Sequence, residues 1–190
     1  RDVMDPARDA LETVSRTLAR FGTTSYFPTT VTAPQTDTAR ALEFLTGYID
    51  DAAGSPSAAA QPLGIHMEGP YISVKRRGVH PAESIIEPTL EAYRAMARAA
   101  AGKLRIMTIA PELAASPEVI AEMVRDGVRP SIGHTDATFE QAEHAVELGA
   151  RQATHMFNAM RPFFHRDPGV IGAVLTDRRI KAELIADGVH

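Results

Sequence analysis

The sequence predicts an α/β fold in which a parallel sheet is built from alternating strands and helices. Three observations carry this expectation. Apolar residues switch repeatedly between helical spacing and short β-rich runs. Glycines at 22, 102, 127 and 149 close helical stretches directly ahead of the next strand candidate. Hairpin signals are few, so consecutive strands must be joined through helices, as right-handed parallel crossovers require.

Asp5-Pro6 reads as an N-cap followed by proline at the first helical position. Leu11, Val14, Leu18 and Phe21 then share one helical face, stopped by Gly22. Residues 23–31, β-branched and aromatic, are the first strand candidate. A second helix starts near Thr36 or Asp37 and presents Leu42, Leu45 and Ile49. Residues 54–62, rich in Ser, Pro and Ala, read as a surface loop, and 63–67 as the second strand. Leu90, Tyr93, Ala97 and Ala100 form a third helical stripe, and a strand over 104–109 follows. Ser116-Pro117 caps a helix carrying Val119, Ile120, Met123 and Val124, ahead of a strand over 128–132. Phe139, Ala142 and Val146 mark the fifth helix, and strands follow over 150–155 and 180–186. Six strands and five helices fit either an open doubly wound sheet or most of a (β/α)8 barrel, which takes about 250 residues when complete. No Gly-rich dinucleotide fingerprint follows a strand, and Gly169-Val-Ile-Gly172 does not match one, so the nucleotide-binding version loses ground.

Composition narrows the chemistry. The chain has 190 residues, 44% hydrophobic and 23% charged, which excludes a disordered chain. A chain of this length buries roughly 70% of its unfolded surface. A net charge of −4 leaves no electrostatic footprint for duplex nucleic acid. No apolar run is long enough to span a membrane. There is no cysteine, so disulfides, thiolate-bound zinc and thiol catalysis are excluded, and any metal must sit on His and carboxylate. The first residues do not read as a signal peptide and no Met opens the chain, which therefore reads as processed or as a fragment.

Polar, metal-competent side chains recur where strands end. Glu68 follows 63–67, His134 follows 128–132, His155 ends 150–155, and Asp187 and His190 follow 180–186. Parallel barrels build their active sites at that end, from several strands. One Glu and two His make an oxygen/nitrogen set suited to zinc or ferrous iron, with a position left for water. Any one such histidine is ordinarily a loop residue; the coincidence across three strands is what argues for a site. His66, two residues before Glu68, faces the same side of a strand and is a further ligand, a partner to one, or a packed interior histidine. His144, between Glu143 and Glu147, reads as solvated, and His165 is left without a role. Lys75-Arg76-Arg77 either meets an anion or forms a solvated face. Arg166 either grips a phosphate or pairs with Asp167.

Taken together, several runs resemble the N-acetylglucosamine-6-phosphate deacetylases of the amidohydrolase superfamily. They are His66-Met-Glu-Gly-Pro70, Arg77-Gly-Val-His80, Ala110-Pro-Glu112, Gly133-His-Thr-Asp-Ala-Thr138, Thr154-His-Met-Phe-Asn-Ala-Met160, His165-Arg-Asp-Pro-Gly169 and Ile185-Ala-Asp-Gly-Val-His190. The resemblance covers essentially the whole chain. It implies a (β/α)8 barrel of the metal-dependent amidohydrolase type, of which residues 1–190 supply strands two to seven, and a small β-sandwich outside this chain. It implies that Glu68, His134 and His155 bind one divalent metal ion, zinc or iron, with a second possible if a His-x-His pair precedes Arg1. It implies that His80 polarises the acetamide carbonyl, that Val79, Asn158 and Ala159 contact substrate, that Arg166 binds the phosphate and that His190 binds the sugar. The implied reaction is hydrolysis of N-acetyl-D-glucosamine 6-phosphate to D-glucosamine 6-phosphate and acetate, in the cytoplasm, by a homodimer, with no nucleic-acid or membrane partner. The family's general-base Asp is expected beyond His190, with Asp187 in a structural role, so these 190 residues alone are expected to be inactive. The competing readings are an amidohydrolase acting on a cyclic amide, and a sugar-phosphate-binding fragment without catalysis.

Overall fold

A computed structural model describes residues 2–53 and 59–190. Most of the loop expected over 54–62 lies outside the described residues. Helix α1 (Arg8–Arg20) buries Ala10, Leu11 and Ser15. It starts later than Asp5-Pro6 implies: Ala7 is its N-cap, and Asp5 instead accepts the Ala7 N–H through its carbonyl at 2.7 Å. Phe21 lies past the helix end and is 83% exposed, so it is not part of the buried stripe.

The expected strand over 23–31 is two short ones, β1 (Ser25–Tyr26) and β2 (Thr29–Thr30). Pro28 between them has no N–H for a ladder, and the chain changes partner there. After α2 (Gln35–Ala53), the strand expected over 63–67 also divides, into β3 (Gln61–Pro62) and β4 (Ile65–Glu68). β1 pairs with β3, and β2 with β4. Then come α3 (Leu90–Ala99), capped by the Thr89 hydroxyl, and β5 (Leu104–Ile109). They are followed by α4 (Ser116–Arg125), β6 (Arg129–Ile132) and α5 (Phe139–Leu148), the last held by a Thr138/Gln141 capping box. The remaining elements are β7 (Gln152–Ala153), α6 (Gly169–Thr176) and β8 (Lys181–Ala182). Helix α6 has no counterpart in the sequence reading. It is apolar all round and buried from Gly169 to Val174, so it shows no polar face from which a helical period can be read. The strand expected over 180–186 contracts to β8, which pairs on one side only, with β7.

The main sheet runs β2-β4-β5-β6-β7-β8, every neighbouring pair parallel. Spatial order follows chain order without a reversal. A doubly wound sheet reverses at a switch point, so that alternative falls and six strands of a singly wound barrel remain. Consecutive helices from α2 to α6 pack against one another as part of the outer ring. Strands β2 and β8 are the edges of the sheet among the described residues.

Side-chain alternation separates two environments. Ile65, Met67, Met107, Ile109, Ile132 and Ala153 join Leu42, Leu45, Tyr93, Val119, Ile120, Met123 and Val146 in one core between strands and helices. Each large member contributes on the order of 1.5–3 kcal/mol by leaving water. The opposite face, the barrel interior, is polar. His66 Nε2 lies 2.8 Å from the Thr108 hydroxyl, which lies 2.8 Å from that of Thr154, itself 2.7 Å from Ser131 Oγ. This buried chain laces β4, β5, β6 and the end of β7 together. Among the described residues, no helix is long and apolar enough to cross a membrane.

Candidate metal centre

Three side chains converge at the carboxyl ends of the strands. Glu68 is the last residue of β4, while His134 and His155 begin the loops after β6 and β7. One Glu68 carboxylate oxygen lies 2.7 Å from His134 Nε2 and 2.8 Å from His155 Nε2, and the two Nε2 atoms are 3.1 Å apart. Both histidines adopt left-handed backbone, with φ of +46° and +30°, as do Phe157 and Ala159 in the same loop as His155. Such residues cost on the order of 1–3 kcal/mol each and persist where the surroundings over-determine them. Gly133 provides the room: a Cβ there would lie 2.8 Å from both the Thr108 methyl and Thr154 Cβ. Gly78, itself left-handed, lets its loop lie flat on the His134 ring, which a Cβ would approach to 3.3 Å.

The proton count tests whether these residues suit a cation. His134 Nδ1 lies 2.9 Å from the Arg76 carbonyl, an acceptor only, so Nδ1 carries a proton and donates it. In a neutral ring Nε2 is then a lone pair, aimed at a carboxylate oxygen 2.7 Å away and at a second imidazole nitrogen. A proton on one Nε2 can serve only part of this cluster, whereas one positive ion serves all three atoms. The three ligating atoms fall within 4.8 Å of one another, and the donor set fits a divalent metal ion. A ligand histidine whose other nitrogen is tied to a carbonyl is the usual arrangement around such an ion. His155 lacks that restraint: its Nδ1 is buried with no hydrogen-bond partner among the described residues.

Charge follows geometry. Burial pushes the Glu68 carboxyl up, but the imidazoles of His134 and His155 against it, with His80 close by, outweigh burial and hold it far below the usual carboxylate range. Burial lowers His155, yet its hydrogen bond to Glu68 and that group's charge leave it raised. His66 is lowered to about 4, burial being the leading cause. It points into the polar interior rather than joining the three convergent atoms, so it is a packed partner beneath the site.

The other expected residues divide. His80 is 1% exposed and packs edge-on against the His134 ring, with centroids 4.5 Å apart. Its Nδ1 accepts the Thr32 N–H at 3.1 Å, which leaves a proton on Nε2, 3.8 Å from Glu68. Val79 is next to it in the chain, but its side chain is exposed. Asn158 and Ala159 belong to the turn after His155, where the Ala159 carbonyl accepts the Thr135 N–H at 3.1 Å. Arg166 is exposed and has no side-chain hydrogen bond or ion pair among the described residues. Asp167, its candidate partner, is taken by Arg161 at 2.5 Å. His190 is exposed and its ring pairs with Asp187, which also accepts the Val189 and His190 N–H groups and is thereby held well below its ordinary pKa. Lys75 and Arg76 are both bound to Asp136, at 2.7 and 2.8 Å, so the basic run is not a free anion site. His144 and His165 are exposed.

Two residues near the site were missed by the sequence reading. Arg161, which pairs with Asp167 and also donates to the Asp136 carbonyl, sits in no periodic pattern. Glu183, raised chiefly by burial, accepts a hydrogen bond from the Gln152 amide just beyond β8. The match of Gln152 and Lys181 across the sheet register, two residues before Glu183, is visible only once strands are paired.

No family model matches the chain. It is 40% identical over 190 residues, all of its length and 48% of the relative's, to N-acetylglucosamine-6-phosphate deacetylase of Lysinibacillus sphaericus. It is 38% identical over 189 residues, 49% of the relative's length, to N-acetylgalactosamine-6-phosphate deacetylase of Escherichia coli O157:H7. The solved structure of an aspartate-to-alanine mutant of N-acetyl-D-glucosamine-6-phosphate deacetylase from Mycobacterium smegmatis, in complex with N-acetyl-D-glucosamine-6-phosphate, superposes with a TM-score of 0.84 and 37% identity, covering 91% of this chain and 44% of that one. The chain thus spans about half the length of the relatives it matches.

Proposed function

We propose that this chain, a relative of the N-acetylglucosamine-6-phosphate deacetylases along its whole length, holds one divalent metal ion, zinc or iron, on Glu68, His134 and His155. Within the protein that carries it, the site would remove the acetyl group from N-acetyl-D-glucosamine 6-phosphate. The observation that supports the reading is the convergence at His134: with Nδ1 committed to Arg76, its Nε2 meets Glu68 and His155 at distances that one shared cation would serve. A bound divalent ion supplies Lewis acidity and brings water toward a pKa of about 7.

The chain's own residues do the remaining work in this reading. His80, with its proton held on Nε2 by Thr32, donates to the acetamide oxygen as negative charge develops there. Arg166, with no carboxylate partner among the described residues, takes the 6-phosphate and spends that binding energy on orientation. Asn158, Ala159 and Val79 line the path between these points, and His190 meets the sugar. Asp187 is committed to its own turn, which supports an acid–base carboxylate outside this chain. The same reading includes the rest of the barrel, the small β-sandwich, and a cytoplasmic homodimer. Exposed Phe157, Phe163 and Phe164, beside Arg166, support a protein contact at that loop. A galactosamine substrate differs from glucosamine at a single hydroxyl, and the likeness to the E. coli enzyme makes that epimer the comparison to run.

The test is metal analysis and acetate release by a protein carrying this chain, with and without Glu68→Gln and His134→Ala together. Loss of both metal and turnover is expected. Unchanged metal stoichiometry would reject the assignment.

A further inference from the structure

Glu112 stands in the loop between β5 and α4, in the run Ala110-Pro-Glu112, and neither the metal nor the substrate reading uses it. Its carboxylate is fully engaged by the next loop in the barrel. One oxygen accepts the Thr135 hydroxyl at 2.5 Å and the other accepts the Asp136 N–H at 2.6 Å. Thr135 and Asp136 directly follow His134, so both arms of the carboxylate close on the turn that sends the His134 ring toward Glu68.

The clamp has its own supports. The Ser116 hydroxyl donates to the Ala110 carbonyl at 2.7 Å and fixes the loop from which Glu112 projects. Thr135 is wholly buried, and its hydroxyl also accepts the Ala137 N–H at 3.0 Å. The Thr135 N–H reaches the Ala159 carbonyl, and the Thr135 carbonyl accepts the Arg161 N–H at 2.9 Å. Through one residue the carboxylate is therefore coupled to the turn after His155 as well. His134 sits at φ +46°, a backbone state that an L residue leaves unless its surroundings hold it. Two charge-assisted hydrogen bonds on the two residues after it are such a restraint.

We infer that Glu112 is a positioning residue for the metal centre: it holds His134 in the left-handed turn from which its Nε2 meets Glu68 and His155. The inference rests on the metal reading given above, and the experiment separates the two. A protein carrying the chain is stripped with chelator and titrated with Co2+ and with Zn2+, following affinity by calorimetry and the cobalt d–d spectrum, for the unmodified protein, Glu112→Ala and Glu112→Gln. Thermal unfolding of each metal-free protein is measured alongside. The unmodified protein is expected to bind one ion. Glu112→Ala should lose about 10- to 100-fold in affinity, as outer partners of metal ligands do, with a changed cobalt spectrum. Glu112→Gln keeps the shape and an acceptor for Asp136, so its loss should be smaller, with metal-free unfolding unchanged. If Glu112→Ala does not fold, weakened binding by a normally folded Glu112→Gln supports the inference. Equal affinity and an unaltered spectrum in a folded variant overturn it while leaving the metal reading intact. Absence of metal binding by the unmodified protein overturns both.

Discussion

Acidification should destabilise the metal-free protein through His66. The ring is 6% exposed, its Nε2 is committed to the Thr108 hydroxyl, and it is held neutral down to about pH 4. An unfolded chain protonates the same ring near 6.5. The sign follows: above 6.5 neither state binds the proton, and below it the unfolded state gains one that the folded state refuses, so stability is lost as pH falls from 6.5 toward 4. The difference of roughly 2.5 pH units corresponds to about 3 kcal/mol at 1.36 kcal/mol per unit. For a chain of this size that is roughly 6–12 °C in Tm. His155 works the other way, because its raised pKa adds stability that is present below 6.5 and lost as pH rises through its folded value. The comparison must therefore be internal. Urea unfolding of the chelator-treated chain and of His66→Gln, which retains an amide donor toward Thr108 and cannot titrate, is measured at pH 7.5, 5.5 and 4.5. The variant should lose less stability over that range, by about 2.5 kcal/mol. Parallel pH profiles for the two proteins would show that the interior accommodates a charged His66 and would refute the argument.

Four further outcomes are expected. Zinc at a hundredfold excess over its Kd should stabilise the chain by about 2.7 kcal/mol, read as a Tm shift that vanishes in His134→Ala; an equal shift in the variant would place the ion elsewhere. Gly133→Ala should destabilise by about 1–3 kcal/mol, since crowding Thr108 and Thr154 at 2.8 Å outweighs the roughly 0.4–1 kcal/mol that alanine gains from a stiffer unfolded chain; a rise in Tm would contradict this. In a protein carrying the chain, Arg166→Ala should raise KM for the phosphorylated sugar and leave the unphosphorylated one nearly unaffected, whereas equal loss on both would assign Arg166 to structure. His80→Ala should lower kcat by about 100- to 1,000-fold with metal content unchanged, and loss of metal would make it a ligand.

The convergence of Glu68, His134 and His155 was legible because a parallel sheet delivers its carboxyl ends to one place, whatever the exact strand limits. The limits were less legible where side chains gave no signal. Pro28 broke one β-branched and aromatic run into two strands with different partners, and α6 hid its helical period by being apolar all round. Charged residues in loops were the hardest. The sequence offered Arg166 as a partner for Asp167, but a hydrogen bond depends on where a turn points, and the turn brought Arg161 there instead. Glu112 was visible only as part of a motif, because its partners lie one strand away and 23 and 24 residues along the chain.

The order of the strands has a consequence for how such a site comes into being. Glu68 and His155 are 87 residues apart in the chain, a separation that would make their encounter slow if it had to occur in one step. Here each strand lies beside the strand before it, so the long separation is divided into closures of one crossover each, and lengthening any outer helix or its surface link adds only logarithmically to the entropy of closing. The metal ligands can therefore be assembled by successive neighbours, like treads of a stair. The outer ring is free to vary in length without disturbing the distances between them.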